Sequence, residues 1–357
     1  MKKRILWLSL LIVLIVAVVL SGCAAPAPAP KPSPAPAPAP AKVYEWKLQS
    51  FCPTGMERYQ VDIATQLPKM ISDATNGQIK ITTYPAGALM PVPDMLTATR
   101  DNVIQMTHSV GSHWAGVLPV GNVEFAMPMA YQTCEDAWTV MWDRGLQDLL
   151  EKAYNEKGIH YLGFQPPMGN RLMTSRPIRK FDDFKGLKVR ALGTFATFAE
   201  KLGMSPVNIP MTELYMALKL GTIDGSITGM DVHFDQKQHE IEKFLTLPKF
   251  SFAEPLNILM NLKEWNALPD DLKKKLTSAL KDWSKWAGNT AEPPRIKKVE
   301  DGFKAAGVEF VQLSPEDSMK VQALAVEVWD EWGKKDDYSA KAVAILKAYA
   351  KEKGRIK

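Results

Sequence analysis

The chemistry open to this chain begins with Arg190. It ends the short run Leu187-Lys188-Val189, and a strand of that composition carries its guanidinium inward. A guanidinium is costly to desolvate, and a planar anion accepting two parallel hydrogen bonds offsets that cost best. The anion is either a solute's carboxylate or an internal Asp or Glu; the residues alone leave both open. Other chemistries find less support. Neither a Gly-x-Ser-x-Gly elbow nor a glycine-rich phosphate loop behind a strand occurs. The histidines, His108, His113, His160, His233 and His239, include no i, i+4 pair that would set two imidazoles on one helix face. Asp231, His233 and Asp235 alternate, so on a strand they would share a side, as a metal site or as a solvated rim cluster. Adjacent carboxylates such as Asp182-Asp183 read as helix starts. The chain reads as a binder rather than an enzyme, with no metal or cofactor expected.

The elements that would position Arg190 follow from periodicity. Residues 45–50 and 78–83 alternate as strands, and 58–75 has helical spacing closed by Asn76-Gly77. A short helix at 94–100 and a strand at 103–107 complete a strand-helix-strand-helix-strand unit, the signature of a parallel α/β sheet. The pattern returns with a strand at 187–190, a helix at 195–202, a strand at 207–209, a helix at 213–220 behind Thr212, and a strand reaching Ile227. Two similar lobes are expected, followed from residue 268 by a mainly helical part. A cleft between such lobes can close on a small molecule, and residues at the C-terminal ends of strands face it.

The beginning of the chain is of another kind. Met1-Lys2-Lys3-Arg4 is basic, residues 5–20 are almost wholly apolar, and Leu20-Ser21-Gly22-Cys23 follows. This reads as a secretory signal, too short for a bilayer-spanning helix of ~20 residues. Leu-Ser-Gly-Cys resembles the lipobox of bacterial lipoproteins, which implies acylation at Cys23 and a membrane-tethered, extracytoplasmic protein. The Ala-Pro stretch at 24–41 cannot build a core; as a polyproline spacer at ~3.1 Å per residue it would hold a domain roughly 50 Å off the membrane. The whole sequence has 44 Lys and Arg against 39 Asp and Glu, and 41 against 39 once Lys2, Lys3 and Arg4 leave with the signal. Near-neutrality argues against nucleic acid as partner and leaves the lipid as the expected membrane contact. Beyond Cys23 only Cys52 and Cys134 remain, as a disulfide or as two buried thiols.

Several segments together carry a family likeness. They are Thr75-Asn76-Gly77-Gln78-Ile79-Lys80-Ile81 with Tyr84-Pro85-Ala86-Gly87-Ala88-Leu89, then Phe125-Ala126-Met127-Pro128, Phe184-Lys185-Gly186-Leu187-Lys188-Val189-Arg190 and Leu202-Gly203-Met204-Ser205-Pro206-Val207. Glu213-Leu214-Tyr215-Met216-Ala217-Leu218 with Gly221-Thr222-Ile223-Asp224-Gly225 completes the series. In this order they resemble the DctP-type substrate-binding proteins of TRAP (tripartite ATP-independent periplasmic) transporters. The resemblance implies an α/β, two-lobe periplasmic-binding-protein-like fold with a ligand cleft between lobes and a helical C-terminal part. It divides the chain into a signal at 1–22, an anchor and linker at 23–43, lobe I at 44–168 with part of 257–296, and lobe II at 169–256 with part of 297–357.

The same resemblance implies a small organic anion as ligand and TRAP membrane permease subunits as partner. It makes Arg190 the carboxylate anchor and Arg171, in Gly169-Asn170-Arg171, a second prong. Thr228, Ser109 and Asn170 complete the hydrogen bonding, and Met230, Phe195, Trp114 and Met168 give the cleft an apolar character. The Glu that metal-using members carry after Asp-Gly is Ile227 here. Pro293-Pro294 falls where the family runs a long interlobe helix, which is expected to kink or break there. The alternative is a binding protein of another uptake system, for a metal or an uncharged solute.

Overall fold

Alternation decides how the strands bury. In Leu256–Asn261, Ile258 and Met260 join one apolar cluster while Leu259 joins the cluster on the opposite face. A sheet covered on both sides follows, because strands buried on both faces read as continuous apolar runs. The structure is a computed structural model that describes residues 42–166, 169–251 and 254–356. Cys23, the signal and the whole Ala-Pro segment at 24–41 lie outside the described residues, as does Met168.

Among the described residues eleven strands form two sheets. They are β1 (Tyr44–Ser50), β2 (Ile79–Tyr84), β3 (Met106–Ser109), β4 (Ile159–Gln165), β5 (Asn170–Thr174), β6 (Lys188–Arg190), β7 (Ser205–Val207), β8 (Gly225–Gly229), β9 (Phe244–Leu247), β10 (Leu256–Asn261) and β11 (Glu309–Gln312). The first sheet has the order β2-β1-β3-β10-β4 and the second β11-β9-β5-β8-β6-β7. Each sheet is the centre of one lobe. The first three strands run parallel, as their helical crossovers require, and β10 then enters between β3 and β4 antiparallel to both. The chain passes between the sheets at β4 to β5, at β9 to β10, and along the helix that begins at Asp270.

Of the kink or break expected in that helix, a break does not occur. Asp270–Trp286 does not stop before Pro293-Pro294; it passes through a π-helical turn, Ala287–Ala291, into Glu292–Ala305. Proline removes an amide donor and displaces the carbonyl four residues back, and a widened turn placed just before it accommodates both changes. The first part of the helix packs on β4, and the last part packs on the helix Met230–Asp235 of the second lobe. One continuous element therefore ties the lobes together.

Two smaller differences have local causes, and one alternative left open by the sequence is decided. The strand expected at 103–107 starts at Met106, because the amides of Val103 and Ile104 both turn back to the carbonyl of Ala98 and close the preceding helix. Asp231, His233 and Asp235 lie on the helix Met230–Asp235, not on a strand, and point to different partners. Cys52 and Cys134 are both free thiols.

His108 makes the fold acid-sensitive. It is fully buried on β3, with Nδ1 2.8 Å from Ser50 Oγ. Burial, and then the charge of Arg58, push its pKa down to about 3 from 6.5. Below pH 6.5 the unfolded chain takes up a proton that the folded chain refuses, so this group's contribution is lost as the pH falls, at about 1.4 kcal/mol per pH unit. Between pH 7 and pH 5 wild type should lose roughly 2 kcal/mol more stability than His108→Asn in urea titrations. Parallel losses in the two proteins would contradict this assignment.

Candidate functional site

Between the two sheets lies a cavity of about 560 Å³. Its walls come from both lobes: Phe51, Val110 and His113 from the first, and Arg190, Phe195 and Ile209 from the second. Arg190 is placed by β6, which is flanked by β7 and β8, so that its backbone pairs with Val207 and Ser226. The side chain is 6% exposed and lines the cavity. Its Nε donates to the carbonyl of Ile209 at 3.3 Å. No carboxylate among the described residues stands within ion-pair distance of it, which removes the internal-partner reading left open by the sequence. Burial pulls its pKa down to about 10, so it remains charged at neutral pH.

His113 sits in the short turn Gly111–Trp114, with Nδ1 2.8 Å from Ser109 Oγ and its ring set edge-on to Phe51. Burial, and then the charge of Arg190, push its pKa down to about 4. It is therefore a neutral imidazole beside the cationic anchor. Asn170, at the start of β5, lines the cavity and gives its Nδ2 to Glu254 Oε1 at 2.9 Å. Glu254 is itself a lining residue, and burial lifts its carboxyl to about 7 against the pull of its own amide, Asn170 and Arg171. Thr228, near the end of β8, lies opposite Arg171 in the sheet register and lines the same cavity.

The remaining expected site residues stand outside the lining. Arg171 is buried, and its Nη1 donates to the carbonyls of Asn170 and Ser251. Ser109 reaches the cavity only through His113. Met230 packs in the second lobe's core with Met173, Leu245 and Phe303, and Trp114 packs in the first lobe's core, where its Nε1 donates to Tyr154 Oη at 3.1 Å. His233, the residue on which a metal-binding alternative leaned, is committed on both nitrogens: Nδ1 to Glu242 Oε2 at 2.7 Å and Nε2 to the Arg171 carbonyl at 3.3 Å. Among the described residues no three His, Cys, Asp or Glu side chains are grouped to hold a metal ion.

Arg58 and Asp231 also line the cavity; sequence reasoning missed Arg58 and named Asp231 only within the alternating set with His233 and Asp235. Arg58 Nε donates to Asp231 Oδ2 at 2.8 Å and its Nη1 to Glu292 Oε1 at 2.7 Å. Arg295 joins Glu292 to Asp62, with Nη1 and Nη2 as donors. This ladder connects the helix Arg58–Gln66 of the first lobe, the helix Met230–Asp235 of the second, and the long tying helix. Burial works against the charge of Asp231, but Arg58 and Arg295 hold its carboxyl below the usual range.

The lobes also touch across the cleft at Gly193, the residue before the helix Thr194–Lys201. Its φ is +54°, and a Cβ there would overlap Asn122 Oδ1 and stand 2.7 Å from Ser112 Oγ, both in the first lobe. Gly193→Ala should therefore hold the lobes apart at this point and weaken solute binding by roughly tenfold, within the ~1–3 kcal/mol typical of overpacking or strain. Titration calorimetry on wild type and variant reads this; equal affinities would mean that the contact plays no part in the bound state.

Comparison with known proteins places the chain. The family model described as bacterial extracellular solute-binding protein, family 7 (DctP) matches residues 55–336. The chain belongs to this family. It is a DctP-type TRAP solute-binding protein, and the family consists of receptors rather than enzymes. It is 26% identical over 264 residues to the 2,3-diketo-L-gulonate-binding periplasmic protein YiaO of Escherichia coli K12, covering 72% of this chain and 79% of YiaO. It is 26% identical over 292 residues to the C4-dicarboxylate-binding periplasmic protein DctP of Rhodobacter capsulatus, covering 81% of this chain and 86% of DctP. Among solved structures, a TRAP periplasmic solute-binding protein from Desulfovibrio desulfuricans with bound sn-glycerol-3-phosphate superposes with a TM-score of 0.78 at 20% identity, covering 86% of this chain and 97% of the other. The two-lobe architecture is thus that of the TRAP receptors.

Proposed function

We propose that this DctP-type protein captures a small organic carboxylate between its lobes and delivers it to a TRAP membrane permease, held at the outer face of the membrane by lipid on Cys23. The observation that carries the reading is Arg190: a charged guanidinium, buried in the cavity wall, that gives one hydrogen bond to a backbone carbonyl and meets no carboxylate among the described residues. Charge of that kind is stabilised by a bidentate anion. The relatives named for 2,3-diketo-L-gulonate and for C4-dicarboxylates bind anions, which supports the same class here. The apolar walls, including Phe51, Phe195, Val110 and Leu256, favour an acid with an aromatic or branched aliphatic body over a short dicarboxylate. Asn170 and Thr228 add hydrogen bonds from the β5 and β8 ends, while Arg171 and Ser109 act from behind, on the backbone at 251 and on His113.

A thermal-shift screen of carboxylic acids tests this. An acid at 100 times its Kd adds ~2.7 kcal/mol of stability and raises Tm visibly. Shifts produced by neutral sugars or amines alone would overturn the carboxylate reading.

A further inference from the structure

Glu254 is the carboxylate among the cavity-lining residues that keep a buried polar atom unpartnered, a group that also includes Ser112 through its Oγ. Its side chain is fully buried and lines the cavity wall in the crossing segment just before β10. One oxygen, Oε1, accepts from Asn170 Nδ2 at 2.9 Å. The other, Oε2, is buried and has no hydrogen-bond partner among the described residues. A buried acceptor left in that condition destabilises a fold by about 1–3 kcal/mol, so a residue whose only role was structural would be better replaced by an apolar one. Arg171 is close enough to act on this carboxyl by its charge, but no hydrogen bond to Oε2 comes from it or from any other described residue. Arg190 lines the same cavity without forming an ion pair with Glu254. Beside the paired Arg58 and Asp231, the lining therefore offers a cationic donor in Arg190 and a separate acceptor in Glu254, together with apolar residues such as Phe195 and Leu256.

We infer that Glu254 is a solute-contacting, specificity-determining residue that accepts a hydrogen bond from a hydroxyl or ammonium group of the ligand, so that the solute is a carboxylate carrying such a donor on an apolar body. This rests on the carboxylate reading of Arg190 and narrows it. A site built to take a donor rejects analogues that lack one, because the acceptor then stays buried and unpaired. Asn170 is the positioning residue: its amide group holds Oε1 and leaves Oε2 to the cavity. The state of the group in the empty protein agrees with this role, since a carboxyl lifted to about 7 by burial avoids carrying a full unpaired charge and ionises readily when a donor arrives.

The test uses matched pairs of carboxylates: hexanoate and 3-phenylpropanoate, each beside derivatives bearing one hydroxyl or one ammonium at successive carbons. Affinities are measured by titration calorimetry on the full folded protein, wild type and Glu254→Gln. In wild type the best donor-bearing member is expected to bind at least tenfold tighter than its unsubstituted parent. Glu254→Gln, nearly isosteric but unable to present two acceptors, should erase that preference, bringing each derivative's Kd to within threefold of its parent's in the same variant. The inference is overturned if parents bind as well as their derivatives in wild type, or if the preference survives in the variant. Carboxylates that bind through Arg190 and ignore Glu254 would sink this inference alone. If no carboxylate binds, or if Arg190→Ala leaves binding unchanged, the underlying reading fails and the inference falls with it.

Discussion

Arg190→Ala should abolish practical carboxylate binding and leave the fold standing. In the empty protein this guanidinium is desolvated and has one carbonyl contact, from Ile209, so its removal deletes a buried charge without orphaning a partner charge. The unliganded variant should melt at or above the wild-type temperature. In the complex the same guanidinium faces the solute's carboxylate at close range, away from water. Truncating one member of such a pair typically weakens binding by ~2–5 kcal/mol, roughly 30- to 5,000-fold in Kd. A micromolar solute would move to the high-micromolar or millimolar range. Calorimetry on the variant decides the matter, and wild-type affinity would show that the anchor lies elsewhere. Arg190→Lys should recover little, because an ammonium offers a point charge where the strand end presents a planar fork.

The second large effect is on stability. Arg58 is buried between Asp231 and Glu292, which belong to different parts of the fold. Arg58→Ala leaves both carboxylates in the interior with only Arg295 to balance them. Breaking a buried pair in this way is worth ~3–5 kcal/mol, a large fraction of the stability of an ordinary domain. Urea unfolding should show a midpoint shift of that size. Replacing the pair, Arg58→Met with Asp231→Leu, should recover most of the loss, since an apolar substitute of similar volume needs no counter-charge. A single variant within 1 kcal/mol of wild type would mean that water reaches these groups and screens them.

These two arginines also show what the sequence could and could not reveal. Arg190 was legible because its strand is local: four residues, Leu187-Lys188-Val189-Arg190, specify the element and the end at which the side chain sits. Asn170, Thr228 and Phe195 were reached only through the family resemblance; their own elements, the ends of β5 and β8 and the first turn of the helix Thr194–Lys201, do not single them out. Arg58 was not, because its partners stand 173 and 234 residues away and nothing in its own helix distinguishes it from a solvated arginine. Glu254 lies in a crossing segment with no periodicity, so only the cavity reveals it. Trp114 and Met230 were placed near the cleft correctly in sequence order but on the wrong side of their backbones, where packing in the lobe cores claims them. The alternation of Asp231, His233 and Asp235 misled because a six-residue helix is too short for its period to be read. The prolines at 293 and 294 announced an irregularity but not its form: a π turn at Ala287–Ala291 carries the helix on without a break.

The most direct test of the central claim is a crystal structure of the protein with the carboxylic acid that stabilises it most in the thermal screen. The account predicts the carboxylate held by two parallel hydrogen bonds from Arg190, at the ~2.7–2.9 Å typical of charge-assisted pairs, with the solute's body against Phe51 and Phe195. A complex in which Arg190 keeps only the Ile209 carbonyl, while the carboxylate is bound by other groups, would contradict it.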